Sequence, residues 1–314
     1  MGVLPIVTYL CFAGFLLTVI TKFVRIASMP LHLRWELYPV AHEKGKSHYG
    51  GSYLEELDWW KKPRHSSLWG ELKVMIPEIV FLAGVWEHNR GHWFRTFPFH
   101  FGLYLLMGLI VLLLVGAITN LAGGAVSPEA GFWGFLLYYL TCVVGYAGIV
   151  LALIGSLALL GRRRFNEEYR EYTKPGDFFN LYFFIITLGI ALLAHLISDP
   201  DFAMVRAFFQ SLVSFDLGNT ALAGASAWTA AEIVLASLLI AYIPLTHMSH
   251  FFTKYFMYHD IRWSDEPSFK GGKIERKVLV TLTYPVSWSA SHIRGDGKKN
   301  WVDVATSDVE EKKE

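Results

Sequence analysis

The run FHFGLYLLMGLIVLLLVGAITNL, residues 99–121, decides how the chain is read. It holds no Asp, Glu, Lys or Arg, and one histidine, His100, close to its start. A helix needs about 20 apolar residues to cross the ~30 Å hydrocarbon layer of a bilayer, so this segment is long enough to span. Four more runs of the same kind occupy residues 4–26, 132–160, 178–197 and 229–252. Composition agrees: 53% of the 314 residues are hydrophobic, 16% aromatic and only 18% charged, with a mean hydropathy of +0.35. Soluble domains of this size rarely combine these values. The expected fold class is an all-α integral membrane protein with five transmembrane helices. Residues 1–21 carry no basic residue, and Lys22 and Arg25 stand at the far end of the first run, so that run reads as a retained helix and not as a cleaved signal.

Charge placement orients these helices. Of the 28 Lys and Arg residues, 11 fall between Lys22 and Arg95, five between Arg162 and Lys174, and 11 from Lys254 onward. Only Arg206 remains for the other side. The positive-inside rule then places the N-terminus outside and the C-terminus in the cytoplasm. The expected location, a separate expectation, is a bacterial inner (cell) membrane. The expected organisation is a first transmembrane helix over 1–26, a cytoplasmic insertion over 27–97, the membrane core with helices two to five over 98–254, and a cytoplasmic tail over 255–314. Within the insertion, residues 75–86 are apolar except for Glu78 and too short to span, which predicts an interfacial or re-entrant helix. Residues 202–215 are amphipathic and are expected on the outer surface. The alternation at 277–283 suggests a strand. The tryptophan-rich, charged insertion (Asp58, Trp59, Trp60, Lys61 and Lys62 in succession) and the tail have the composition of a docking surface for a cytoplasmic subunit. No nucleic-acid partner is expected.

The two cysteines, Cys11 and Cys142, both lie in apolar runs, and no Cys-x-x-Cys occurs. The chain therefore carries neither its own iron–sulfur cluster nor a covalently attached haem. Histidine is the informative residue. Ionisable groups inside a span are costly and need a role. His100 lies five residues after Arg95, and His250 four residues before Lys254, so both sit roughly 6–8 Å inside the same membrane boundary. Two neutral imidazoles at equal depth on two helices suit the axial positions of a b-type haem. His247, three residues before His250, is either a rival ligand or a neighbour. Arg90, Arg95 and Arg162 at that boundary are candidate partners of haem propionates. At the opposite end stand His195, four residues before Asp199, and Glu232, 18 residues before His250. On an unbroken helix, 18 residues make five turns and place Glu232 on the His250 face, about 27 Å away. A histidine and a carboxylate at one depth can hydrogen-bond a quinone such as menaquinone and exchange its protons; a purely structural polar pair is the other reading.

The sequence Pro98, Phe99, His100, Phe101, Gly102 and the sequence Ile243, Pro244, Leu245, Thr246, His247, Met248, Ser249, His250, with Arg162, Arg163 and Arg164 between them, resemble the gamma subunit of respiratory nitrate reductase. The likeness is closer still to its relatives in the transmembrane redox complexes of sulfate-reducing bacteria. The resemblance implies two haems between the second and fifth helices. Its inner haem would be held by His100 and His250. Its outer haem would need histidines at positions 110 and 232, which here are Ile110 and Glu232. One haem b is therefore expected, and a second only by another route such as His195. The function implied is a membrane cytochrome b subunit of a respiratory redox complex. It would pass electrons between a quinone pool, or a periplasmic multihaem cytochrome c, and a cytoplasmic iron–sulfur subunit. That last partner is heterodisulfide-reductase-like by resemblance. Both directions, quinol oxidation and quinone reduction, stay open. The alternative is a haem-free membrane anchor. A transporter is disfavoured, because five spans without inverted repeats or broken helix pairs do not fit one.

Overall fold

The computed structural model describes residues 2–29, 57–58, 61, 68–218, 225–253, 269–290 and 293–307. Among them five helices are long and apolar enough to cross a membrane: α1 (Val3–Ala27), α4 (Arg90–Leu121), α5 (Phe132–Phe165), α7 (Pro175–Ile197) and α9 (Ala227–Tyr242), the last prolonged by a 3₁₀ turn, Ile243–Leu245. Trp59, Trp60, Lys254 and residues 308–314 lie outside the described residues. The chain forms two compact units, residues 1–18 with 72–247, and residues 19–71 with 248–314.

In the first unit, α4 and α5 pack backbone to backbone. A Cβ on Gly102 would lie 2.3 Å from the Ala152 nitrogen, and one on Gly155 2.3 Å from the Phe99 nitrogen. Small residues at such crossings let membrane helices approach where no hydrophobic gain exists between apolar surfaces. Leu109 and Leu113 of α4, Ile149 of α5 and Ala191 of α7 then close on Phe202 and Val205. Those two belong to the segment expected on the outer surface. Instead Val205, Phe208 and Ser211 of α8 (Ala203–Val213), with Phe202 just before it, are buried, because the apolar face of that helix fills space inside the bundle. Helix α1 joins by polar contacts: Thr8 and Ser237 hydroxyls lie 2.9 Å apart, and Tyr9 donates to the Leu212 carbonyl at 2.6 Å. The rest of its surface is largely exposed, as suits a helix facing lipid.

Three further expectations for these helices are revised. The apolar stretch 75–86 is split between α2 (Leu68–Val80) and α3 (Ala83–His88), with Leu82 in the left-handed region at φ 53°. Its lone carboxylate explains the break, since Glu78 Oε2 accepts the Gly84 amide at 2.8 Å and supplies the cap that α3 lacks in its own sequence. Helix α4 starts at Arg90, so the expected boundary at 97/98 falls inside it. The fifth span does not run unbroken to residue 252. Helix α9 ends at Tyr242, and beyond Pro244 the chain turns extended at Thr246 (ψ −176°) before the 3₁₀ turn His247–Ser249. Proline offers no amide hydrogen to continue the ladder. The rotational argument that put Glu232 on the His250 face therefore fails.

In the second unit, the stretch expected as a strand is helix α10 (Lys273–Leu282). Ile274 and Thr281 are buried while Leu279 and Val280 are exposed, a seven-residue recurrence that belongs to a helix and not to a strand. A two-residue antiparallel ladder, β1 (Ser289–Ala290) with β2 (Ile293–Arg294), follows, then α11 (Trp301–Thr306), capped by Asn300 accepting from the Asp303 amide at 2.9 Å.

Candidate functional site

His100 sits on the third turn of α4, between Phe99 and Gly102, both of which are pressed against α5. Its Nδ1 lies 2.8 Å from the Thr96 carbonyl oxygen. A carbonyl only accepts, so the hydrogen is on Nδ1 and the lone pair of the neutral ring is on Nε2. That is the tautomer and ring orientation a metal-ligating histidine requires. The Thr96 hydroxyl, 3.2 Å from Nδ1, adds to the same anchor. His100 thus fits the axial role read from the sequence.

At the start of α4 and the end of α5 lies a pocket of ≈510 Å³ lined by Gly91, Arg95, Ala158, Gly161, Arg162, Phe165 and Asn166. Arg95 and Arg162, expected near each other, line it together. The Arg162 guanidinium rests on the Tyr169 ring at 3.7 Å, and its Nη1 is buried with no hydrogen-bond partner among the described residues. Arg90 does not line the pocket; it stacks on Trp86 at 4.8 Å. Arg163 is committed elsewhere, at 3.3 Å from the Thr173 hydroxyl and 3.8 Å from Asp177. His247 Nδ1 lies 3.8 Å from Asp177, with its side chain 65% exposed. His250 opens the helical turn 250–253, is exposed, and belongs to the second unit.

The far ends of α7 and α9 bring His195 and Glu232 into contact, with Nε2 3.0 Å from Oε1. The other ring nitrogen, Nδ1, donates to the Asp199 carbonyl at 2.8 Å. Both ring nitrogens of His195 are thus engaged within the protein. Ile110, the other position of that outer haem, cannot ligate and is 37% exposed. Residues the sequence reading passed over complete the site. Phe202 lies over the His195 ring at 3.8 Å between centroids, and Tyr146 donates to the Pro200 carbonyl at 3.0 Å. The Asp199 carboxylate accepts from the Met204 and Val205 amides at 2.9 and 3.1 Å, capping α8. That Asp lies four residues before the start of the helix, outside the usual N-cap position, which is Phe202, so the ordinary start signal did not point to this cap. Among the described residues no group of three or more His, Cys, Asp or Glu is arranged to hold a metal ion.

A family profile described as the nitrate reductase gamma subunit matches residues 96–264, more than half of the chain. The chain belongs to that family. The match begins on Thr96, beneath His100, and takes in His195, Glu232, His247 and His250, while α1 to α3 and α10 and α11 lie outside it. The chain is also 24% identical over 263 residues to the "Hdr-like menaquinol oxidoreductase cytochrome b-like subunit" of Archaeoglobus profundus, covering 77% of this chain and 73% of that protein. With five apolar helices, this member of the nitrate reductase gamma subunit family is a multi-pass membrane protein.

Proposed function

We propose that this chain is the membrane cytochrome b subunit of a multi-subunit respiratory redox complex. In this reading it passes electrons between a quinone pool, or a periplasmic cytochrome c, and a cytoplasmic iron–sulfur subunit. The observation that carries it is the Nδ1–H of His100 donating to Thr96, which leaves Nε2 as the ligating nitrogen on a membrane helix of this family. His100 and His250 would hold haem b, whose iron supplies reversible one-electron transfer. Arg95 and Arg162, with an unmatched buried donor, would receive its propionates. His195 and Glu232 would be the contacts for a quinone, and the relative's name, a menaquinol oxidoreductase subunit, supports menaquinone as the quinone concerned.

The same name supports a complex of several subunits, in which a heterodisulfide-reductase-like iron–sulfur partner would dock on the insertion and tail. The basic ends of α4 and α5 support a topology with the N-terminus outside and the C-terminus cytoplasmic. A reduced-minus-oxidised visible spectrum of the purified chain tests the reading. A b-type α-band that disappears in His100→Ala and in His250→Ala is expected. Absence of the band from the intact chain would instead leave a haem-free anchor. Pyridine haemochrome analysis should return one haem per chain.

A further inference from the structure

The His195–Glu232 contact fixes more than proximity. The Asp199 carbonyl can only accept, so His195 Nδ1 must carry a hydrogen. The 3.0 Å contact between Nε2 and Oε1 then needs one further proton, held either as a carboxylic acid donating to a neutral ring or as an imidazolium donating to a carboxylate. Both forms leave the pair electrically neutral, the one state that a membrane interior tolerates at low cost. Removing that proton strands a bare carboxylate, and adding a second strands a cation. One other charged group stands beside the ring, and it does not relieve this. The Asp199 carboxylate, 3.9 Å from Nδ1, is spent on the amides of Met204 and Val205.

The carboxylate's second oxygen is the telling atom. Glu232 Oε2 is buried and has no hydrogen-bond partner among the described residues, although a buried carboxyl oxygen is normally satisfied. In either protonation form of the pair the proton sits between Oε1 and Nε2, so Oε2 is an acceptor and cannot donate. The ligand that completes it must bring an O–H or N–H. Phe202, lying over His195, and Tyr146 beside it give the surroundings an aromatic character suited to a flat ring. The Glu232 side chain as a whole keeps 12% of its surface exposed, while Oε2 itself is covered.

We propose that His195 and Glu232 form a one-proton dyad whose Oε2 accepts the hydrogen bond of a hydroquinone hydroxyl, making this site selective for the reduced, hydroxyl-bearing form of a quinone over the oxidised form. The proposal rests on the quinone reading of the site and sharpens it. A quinone offers two carbonyls, which are acceptors and meet Oε2 with repulsion, whereas a quinol offers donors.

The test uses the full-length chain in lipid nanodiscs and two probes, menadiol held anaerobically under excess reductant and menadione. Each is titrated by quenching of tryptophan fluorescence. The intact chain should bind menadiol about tenfold more tightly than menadione, the discrimination expected when one buried acceptor is matched or left facing another acceptor. Glu232→Gln places an amide donor within reach of the ligand and should abolish or reverse the preference, while Glu232→Asp should keep its sign with weaker binding. Circular dichroism and the haem spectrum serve as checks on folding. Menadiol and menadione binding equally to the intact chain would overturn the proposal without needing any variant. So would an undiminished preference in a folded Glu232→Gln protein. Failure of both probes to bind, with the b-type spectrum present, would remove quinone from this site altogether and leave the cytochrome reading standing.

Discussion

Gly102 of α4 meets Ala152 of α5 so closely that a Cβ on the glycine would fall 2.3 Å from the Ala152 nitrogen. One turn away, Gly155 meets Phe99 in the same manner, so the backbone on both sides of His100 is clamped to α5. Gly102→Ala should therefore force the helices apart. We expect a loss of about 1–3 kcal/mol in thermal or denaturant stability in detergent, the usual cost of overpacking, with weakened haem retention alongside. Gly189→Ala is the control. It lies within α7 with nothing inside 4 Å of its Cβ position, so it should be neutral or stabilise by about 0.5–1 kcal/mol. Equal effects from the two substitutions would show that the close crossing does not matter.

Asp199 holds two jobs in one residue. Its carbonyl fixes the tautomer of His195, and its carboxylate caps α8 through Met204 and Val205. Asp199→Ala keeps the carbonyl and removes the cap, and should cost about 1–2 kcal/mol. Asp199→Asn retains an acceptor and should recover most of that loss. Hydrogen exchange of the Met204 and Val205 amides reports on the cap directly. Unchanged protection in Asp199→Ala would refute the assignment.

The five spans were legible because bilayer thickness imposes a length and composition that need no tertiary knowledge. The break after α9 was harder to see, since Pro244 lies inside an apolar run and prolines are tolerated in membrane helices when neighbours satisfy the freed groups. At 277–283 the Val, Leu and Thr residues have strand propensity, but burial of Ile274 and Thr281 on one helical face overrode it. His195 and Glu232 were recognised as a pair by depth alone. What sequence could not supply was the direction of each hydrogen bond, because that depends on Asp199 presenting a carbonyl, and not its carboxylate, to the ring. The expectation that positions 110 and 232 hold no outer haem rests on residue identity, since Ile110 cannot ligate iron.

Asp296 offers a pH test well away from the membrane spans. Its carboxylate accepts the backbone amides of Lys299 at 2.7 Å and Lys298 at 2.9 Å, and these bonds hold its pKa below the ordinary 3.8. A depressed carboxylate pKa means that the ionised form is favoured by the folded turn. Its stabilising effect is complete above the ordinary value and fades as pH falls through the lower, folded one. The amides of Lys298 and Lys299 should stay protected down to pH ~4 and lose protection below it. In Asp296→Asn the protection should be weaker at neutral pH and flat across that range. An acid transition that persists in the Asn variant would point to a different group.

Arg162 and Arg163 are adjacent in sequence and opposite in circumstance. Arg163 is held by Thr173 and Asp177, whereas Arg162 lies flat on Tyr169 with a buried, unmatched Nη1 at the edge of the pocket that Arg95 shares. If Arg162 receives a haem propionate, its positive charge favours the reduced, more negative haem. Arg162→Gln should then lower the midpoint potential on the order of 60 mV, the equivalent of a tenfold change in a one-electron equilibrium. Arg163→Gln should leave the potential unchanged and reduce stability by less than about 1 kcal/mol, as is typical of a partly exposed ion pair. A potentiometric titration of the two variants separates these roles. An unaltered potential in a folded Arg162→Gln protein would move the propionates away from this pocket and leave its unmatched donor to some other anion.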